Sequence, residues 1–459
     1  MGFLDLILLP LYILIFYWIF KSIRRTYDDK LLKRYHRNGF WIKVVSSLAF
    51  TIFNLYISPG DSTGLYHQEG LNIYNLILKD SDNIQWLYLP GSEFDETLLY
   101  NIYNTGYFSS ESNSIVIKLV AILSFATLGK YIIINLIFSM IAFTGAWKLF
   151  VFFYEQFPAH HKNFAIAILF MPTFVFWSSG VLKDSLCIAC IGWITYSMYE
   201  IFVRHNRILK NALILIFFGT MLSILKVYIL ISYIPIFMLF VIIKNMAGIN
   251  NKFVKYLLGP MLIIGSLLVF SNVLKSYDEE LGTYAVKDLT QSIKTLNINM
   301  ENLANSGTAE SNFTLGMDYD GSASGLIKLA PIAIGTTLFR PFLWEAHNVS
   351  SMIAAFESLL MIMFTLFVIA KAGPINFIRL ILKDPLAMYC FLFALVFALF
   401  IGASTLNFGT LVRYKIPCMP FYLISLFLVN ARLNEKAKQK VNLQEAIQIP
   451  AIVSLSGAG

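Results

Sequence analysis

Five polar clusters interrupt an otherwise apolar chain, and their residue types suit proton transfer and phosphate binding. The first is Ser58-Pro59-Gly60-Asp61-Ser62, followed by Tyr66, His67 and Glu69. Pro-Gly favours a tight turn that presents Asp61 to water. There a carboxylate at Asp61, or at Glu69 just after it, is placed to take a proton from an acceptor hydroxyl. The plain structural alternative is a solvated turn aspartate.

In the second cluster, Trp177-Ser178-Ser179-Gly180-Val181-Leu182-Lys183-Asp184-Ser185, a polar break separates two apolar runs. Asp184 or Ser185 is expected to cap the helix that follows. A helix N-terminus with Lys183 beside it also suits a phosphate group. The third is Lys226, alone between two apolar runs, where a cation at the hydrocarbon edge either snorkels or finds an anion.

The fourth is Arg340-Pro341-Phe342-Leu343-Trp344-Glu345. Arg340 and Glu345 either pair with one another while Trp344 anchors at the interface, or Arg340 clamps a phosphate through its planar fork. The fifth, Arg413-Tyr414-Lys415 before Ile416-Pro417, places two more cations at the start of an apolar run. Together Lys183, Lys226, Arg340, Arg413 and Lys415 form a sparse cationic set, with Asp61, Glu69 and Asp184 as acidic companions. A negatively charged head group in the membrane would supply the counterion they lack.

Other chemistry is weakly represented. There is no H-E-x-x-H, no G-x-x-x-x-G-K-[ST], no G-x-S-x-G and no closely spaced His/Cys ligand set. Cys187 and Cys190 form a C-x-x-C inside an apolar stretch, where thiols pack as small hydrophobes. No cofactor is demanded; a divalent Mg or Mn ion shared between a phosphate and Asp61 or Glu69 is compatible with the sequence.

The elements that must position these residues are membrane helices. The 459-residue chain is 57% hydrophobic and 14% charged, with 40 Phe and 24 Tyr, far from the composition of a soluble globular domain. Apolar runs recur that are long enough to cross a hydrocarbon core of about 30 Å. The expected fold is an all-α polytopic membrane protein with about eleven transmembrane helices, at 3–20, 41–57, 131–153, 163–179, 185–203, 211–225, 228–244, 253–273, 349–371, 385–404 and 415–431. The first run lacks a basic leader and a cleavage pattern, and reads as a retained helix. Two shorter runs, 115–128 and 326–339, carry Lys118 and Lys328 and are expected to be re-entrant or interfacial helices. Residues 1–435 then form one helical domain, with extracytoplasmic loops 58–130 and 274–348, and residues 436–459 form a loosely ordered cytoplasmic tail.

Orientation follows from charge. If neither short run crosses, most of the 35 basic residues fall in cytoplasmic loops, among them Lys21, Arg24, Arg25, Arg204, Arg207, Arg379 and Arg432. That satisfies the positive-inside bias with the N-terminus outside and the C-terminus in the cytoplasm. The net charge of +8 thus follows from topology, and nucleic acid is not expected as a partner.

On Gly60-Asp61-Ser62 with Tyr66, Pro172 with Trp177-Ser178-Ser179-Gly180 and Lys183-Asp184, Arg340 to Glu345, and Arg413 to Pro417, the chain resembles the C-type multi-pass membrane glycosyltransferases that use polyprenyl-phosphate-linked sugars. The resemblance implies a bacterial cytoplasmic-membrane enzyme that transfers a sugar from a lipid-linked donor to a glycan, lipid or protein acceptor on the outer face. It places the catalytic carboxylate on Asp61 and donor phosphate binding on the basic residues at outer helix ends. The chain departs from the family in putting its acidic loop after the second helix and in having no carboxylate beside Asp61. A polysaccharide polymerase or ligase, and a non-catalytic transporter or scaffold subunit of an envelope complex, are the alternative functions.

Overall fold

The computed structural model describes residues 2–94, 110–246, 313, 315, 323–346 and 348–456. The expected span 253–273, most of the expected outer loop 274–348, and residues 95–109 of the first loop lie outside the described residues. The described chain is helical: α1 (Phe3–Arg25), α2 (Lys30–Ile52), α3 (Gln68–Lys79), α4 (Glu111–Thr127), α5 (Tyr131–Gln156), α6 (His161–Ala165), α7 (Pro172–Trp177), α8 (Lys183–Phe202), α9 (Ile208–Met246), α10 (Ala323–Phe339), α11 (Val349–Ala372), α12 (Pro374–Lys383), α13 (Pro385–Ser404), α14 (Phe408–Tyr414) and α15 (Met419–Ser456). Among the described residues seven helices are long and apolar enough to cross a membrane, or eight if the bent pair formed by α14 and α15 counts as one span.

Local chemistry explains where the structure departs from uninterrupted spans. The run 163–179 is broken into α6, a π-helical turn Ile166–Phe170, and α7. Pro172 has no N–H to donate, and Met171 before it is extended at φ −65°, ψ 120°, as a pre-proline residue prefers. The expected span 415–431 is bent by 61° between α14 and α15, with Pro417 in the link. Of the expected tail 436–459, residues 436–456 are helical. Helix α15 continues to Ser456, consistent with good helix formers such as Ala437, Lys438, Gln439, Lys440, Gln444 and Glu445.

Helix α9 folds back on itself at Lys226, the residue with non-helical φ −156° and ψ 78°. Lys226 reaches Asp184 at the start of α8. On one side of the break Phe218 stacks on Trp193 of α8 at 5.7 Å; on the other, Tyr233 bonds Thr195 of α8 at 2.5 Å. A straight helix would carry residue 218 about 12 Å away from α8 at the far side of residue 226. The chain therefore reverses there, giving two antiparallel arms.

The packing centre is α5 and α8, each with 78% of its apolar window buried, whereas α1 has 11% buried and lies at the periphery. Backbones touch directly where α5 meets α8: a Cβ added at Gly192 would lie 1.8 Å from the Gly145 carbonyl oxygen. Small residues at a helix crossing allow this approach. Two ends of the bundle emerge. At one end stand Asp61, Lys183, Lys226 and Arg413. At the other, Asp29 receives the Tyr154 hydroxyl bond, Arg204 pairs with Glu155 and Glu200, and Arg432 pairs with Asp384 at 2.6 Å.

Candidate functional site

Asp61 opens a π-helical segment, Asp61–His67, that follows the Ser58-Pro59-Gly60 turn. Its carboxylate is 45% exposed and accepts from Arg413 Nη1 at 3.1 Å. Arg413, in the last turn of α14, also donates from Nε to Asp184 Oδ2 at 2.7 Å. The other oxygen of Asp184 accepts from Lys226 Nζ at 2.5 Å. Four charges from four segments thus form one chain, Asp61–Arg413–Asp184–Lys226, with Asp184 and Lys226 buried, Arg413 half-buried and the outer carboxylate exposed. The Lys226 ammonium also lies 4.2 Å from the centre of the Tyr414 ring, a favourable cation–π placement.

Asp184 does not cap α8. Leu182 occupies the N-cap position without a side-chain bond, and Asp184 stands in the first turn, where its charge complements the helix dipole. Ser185 turns its hydroxyl back to the Gly180 carbonyl at 2.6 Å. Lys183 donates to the hydroxyl of Ser112 on α4 at 2.6 Å, so in this group it is the cation bound to a neutral oxygen.

Tyr66 is buried beside this chain and donates to Asn113 Oδ1 at 3.0 Å. Burial raises its pKa above the usual phenol value, against the opposing pull of Arg413, which keeps the hydroxyl a donor. Burial likewise lowers the pKa of His67, whose Nε2 is 2.9 Å from the Gly129 carbonyl oxygen. Glu69 is buried in the first turn of α3 and does not belong to the four-charge chain.

A second group surrounds Arg340. Its Nε donates to both carboxylate oxygens of Glu345 at 3.0 and 3.1 Å, and its Nη2 also binds Glu345. The guanidinium lies 4.6 and 4.9 Å from the Phe313 and Phe408 ring centres. Of the two readings of this motif, the internal ion pair is the one the geometry displays. Trp344 is 77% exposed and stacks on Phe342 at 4.9 Å. Lys415 is buried and donates to the Arg340 carbonyl at 2.8 Å and the Ser358 hydroxyl at 3.1 Å, so it joins this group rather than the first. Arg340→Lys keeps the charge but loses the fork and its seat between two rings. We expect it to cost about 1.5–3 kcal/mol, read as a lower unfolding midpoint in detergent; an unchanged midpoint would remove the pair from the set of structural contacts.

Among the charges inside expected spans that escaped the sequence reading, two hold the ends of α7. Lys43 of α2 is buried and donates to the Ser178 carbonyl at 2.5 Å, the Ser178 hydroxyl at 3.0 Å and the Ser179 hydroxyl at 2.8 Å. Glu357 of α11 accepts the Thr173 backbone N–H at 3.0 Å and also binds the Thr173 hydroxyl. A carboxylate at the start and an ammonium at the end of α7 match the polarity of that short helix. They hold the polar break that leads into Lys183 and Asp184. A lone charge inside an apolar run was the available signal. Asn135 assists from α5, accepting the Val181 N–H at 2.8 Å and donating to Thr51 at 2.9 Å. At Gly180 an added Cβ would strike the Phe50 ring at 2.0 Å, so the break tolerates no side chain there.

Beside α7 lies an apolar groove of about 680 Å³, whose lining includes Trp41, Val45, Phe53, Ile57, Trp177 and Ile353. Val45 and Ile57 are exposed on its flank, where lipid would stand. The wall formed by α2 and the π-helical turn Phe53–Ile57 after it ends at Ile57, four residues before Asp61. Among the described residues no three His, Cys, Asp or Glu side chains converge as a metal-ligand set. No protein-family model, curated protein or solved structure matches the chain.

Proposed function

We propose that this membrane protein is a glycosyltransferase. It takes a sugar from a polyprenyl-phosphate or -pyrophosphate donor and passes it to a hydroxyl of a glycan, lipid or protein acceptor. The observation that supports this reading is the exposed Asp61 carboxylate at the head of a chain of charges that leads inward to buried Asp184 and Lys226, four residues after Ile57 in the lining of an apolar groove. Asp61 takes the acceptor's proton as the acceptor oxygen bonds to the anomeric carbon, and the bond from that carbon to the phosphate oxygen breaks. Charge growing on the departing phosphate is met by Lys183, whose partner is a neutral hydroxyl, and by Arg413 once substrate competes with its carboxylates. Inversion at the anomeric carbon is the course of this direct displacement.

In the same proposal the Asp61 end faces the outside of a bacterial cytoplasmic membrane, the N-terminus is outside, and about eleven helices cross. The opposite end carries Arg204, Arg379 and Arg432 and meets the positive-inside bias as the cytoplasmic face. The neutralisation of Lys226, Arg413 and Arg340 by carboxylates within the chain favours a non-catalytic transporter or scaffold as the second reading. Purified protein incubated with polyprenyl-phosphate and -pyrophosphate sugars separates the two. Product formation is expected; no transfer from any donor, with the protein still rescuing cells that lack it, would favour the second. Cysteine labelling of intact cells should modify position 61 and spare position 207, and the reverse pattern would invert the orientation.

A further inference from the structure

Helix α12 joins two spans at the end of the bundle opposite Asp61. It is ten residues long, Pro374–Lys383, or about 15 Å, too short to cross a membrane. α11 ends just before it and α13 begins just after it, so both its termini stand at the same end of the bundle. That end is fixed by Arg432 of α15 bonding Asp384 and by Lys371 bonding Asn430 and Asn434.

The residues of α12 divide into three sectors at 100° per residue. Phe377, Leu380 and Ile381 are buried against the protein. Ile375, Ile378 and Leu382 are exposed, Ile375 at 77%, and fall within a sector of about 60°. Arg379 and Lys383, at i and i+4, are exposed on the neighbouring sector, about 85° round the helix from the apolar one. Among the described residues, neither cation has a carboxylate within 4 Å.

An apolar sector beside a basic sector, both facing away from the protein, is the arrangement of a helix lying flat in a membrane interface. The apolar side chains enter the acyl region while the cations meet the head groups. Water would solvate Arg379 and Lys383 well but would leave three large aliphatic side chains exposed together. A protein partner would bury both sectors, yet would leave the spans on either side of α12 without lipid at that level. We propose that α12 is a binding site for anionic phospholipid, with Arg379 and Lys383 holding the lipid phosphate and Ile375, Ile378 and Leu382 seated among its acyl chains. The site lies outside the machinery proposed for transfer and does not depend on that reading.

The full-length protein, reconstituted in phosphatidylcholine vesicles containing a minor fraction of phosphatidylglycerol, provides the test. A spin-labelled phosphatidylglycerol should quench a tryptophan placed at Ile378 more strongly than spin-labelled phosphatidylcholine does. Near an anionic surface each basic residue changes binding about fivefold, so R379Q/K383Q should reduce the preference about twenty-five-fold. R379K, which keeps the charge, should retain it. Equal quenching by both lipids in the parent, or an undiminished preference in R379Q/K383Q, overturns the proposal. Protection of the tryptophan from both lipids and from aqueous quenchers would show instead that a protein covers this face. Thermal unfolding of R379Q/K383Q, whose side chains point away from the fold, should match the parent and thereby exclude misfolding as the cause.

Discussion

Asp184→Asn is expected to destabilise the protein by about 3–5 kcal/mol, the usual cost of leaving buried charges without their counterion. The effect is large because Asp184 compensates two cations at once, Lys226 on one oxygen and Arg413 on the other. The amide keeps the shape of the carboxylate and can still accept a hydrogen bond on one atom, yet it offers no negative charge and turns an N–H₂ toward one of the cations. Lys226→Met is expected to cost clearly less, because Asp184 then still faces Arg413 and the methionine stem keeps the packing against Tyr414. Unfolding midpoints of the two variants in one detergent decide the matter. Equal losses would mean that Lys226 and Arg413 do not share the carboxylate, and a stable Asp184→Asn would mean the site is far more hydrated than the geometry implies.

The division between what the sequence made legible and what it concealed follows the range of the interactions involved. Runs such as Tyr131–Gln156 and Pro385–Ser404 carry their own signal, since an apolar stretch of this length has one dominant solution in lipid. The break near Lys226 was legible as well, because a cation standing between two long apolar runs needs either the hydrocarbon edge or a partner. The association of Asp61 with Arg413 was not legible, since 352 positions separate them and nothing local marks the pairing. Arg340 and Glu345 are five apart, and their bond is within reach of a sequence argument, yet the choice between an internal pair and an open phosphate clamp needed the side chains. Lys43 and Glu357 were passed over because each is a single charge inside a run read for its average hydropathy. Their partners are backbone groups and hydroxyls of Thr173, Ser178 and Ser179 at the two ends of α7, more than 130 positions away in the chain, and nothing local marks the pairing.

Asp61→Asn should separate chemistry from architecture, because the two demands on this residue differ in size. As an ion pair it is 45% exposed and makes one contact with Arg413 at 3.1 Å, an interaction screened by water and worth little. Expression and membrane insertion should therefore persist, with stability changed by about 0.5 kcal/mol or less. As a general base it is worth about 10² to 10⁴ in rate, so glycan transfer from a lipid-linked donor should fall at least about a hundredfold. The kinetic split carries further information. Removing the carboxylate frees an N–H of Arg413, so binding of a phosphate-bearing donor should hold or tighten while kcat collapses. A variant that loses affinity and keeps kcat would instead place Asp61 in donor binding, and one that retains both would make it an ordinary turn residue. Glu69 offers no easy substitute, since it is buried in the first turn of α3, and a base must reach the acceptor hydroxyl in water. The reading of Asp61 as the proton acceptor thus stands or falls on kcat in this one variant.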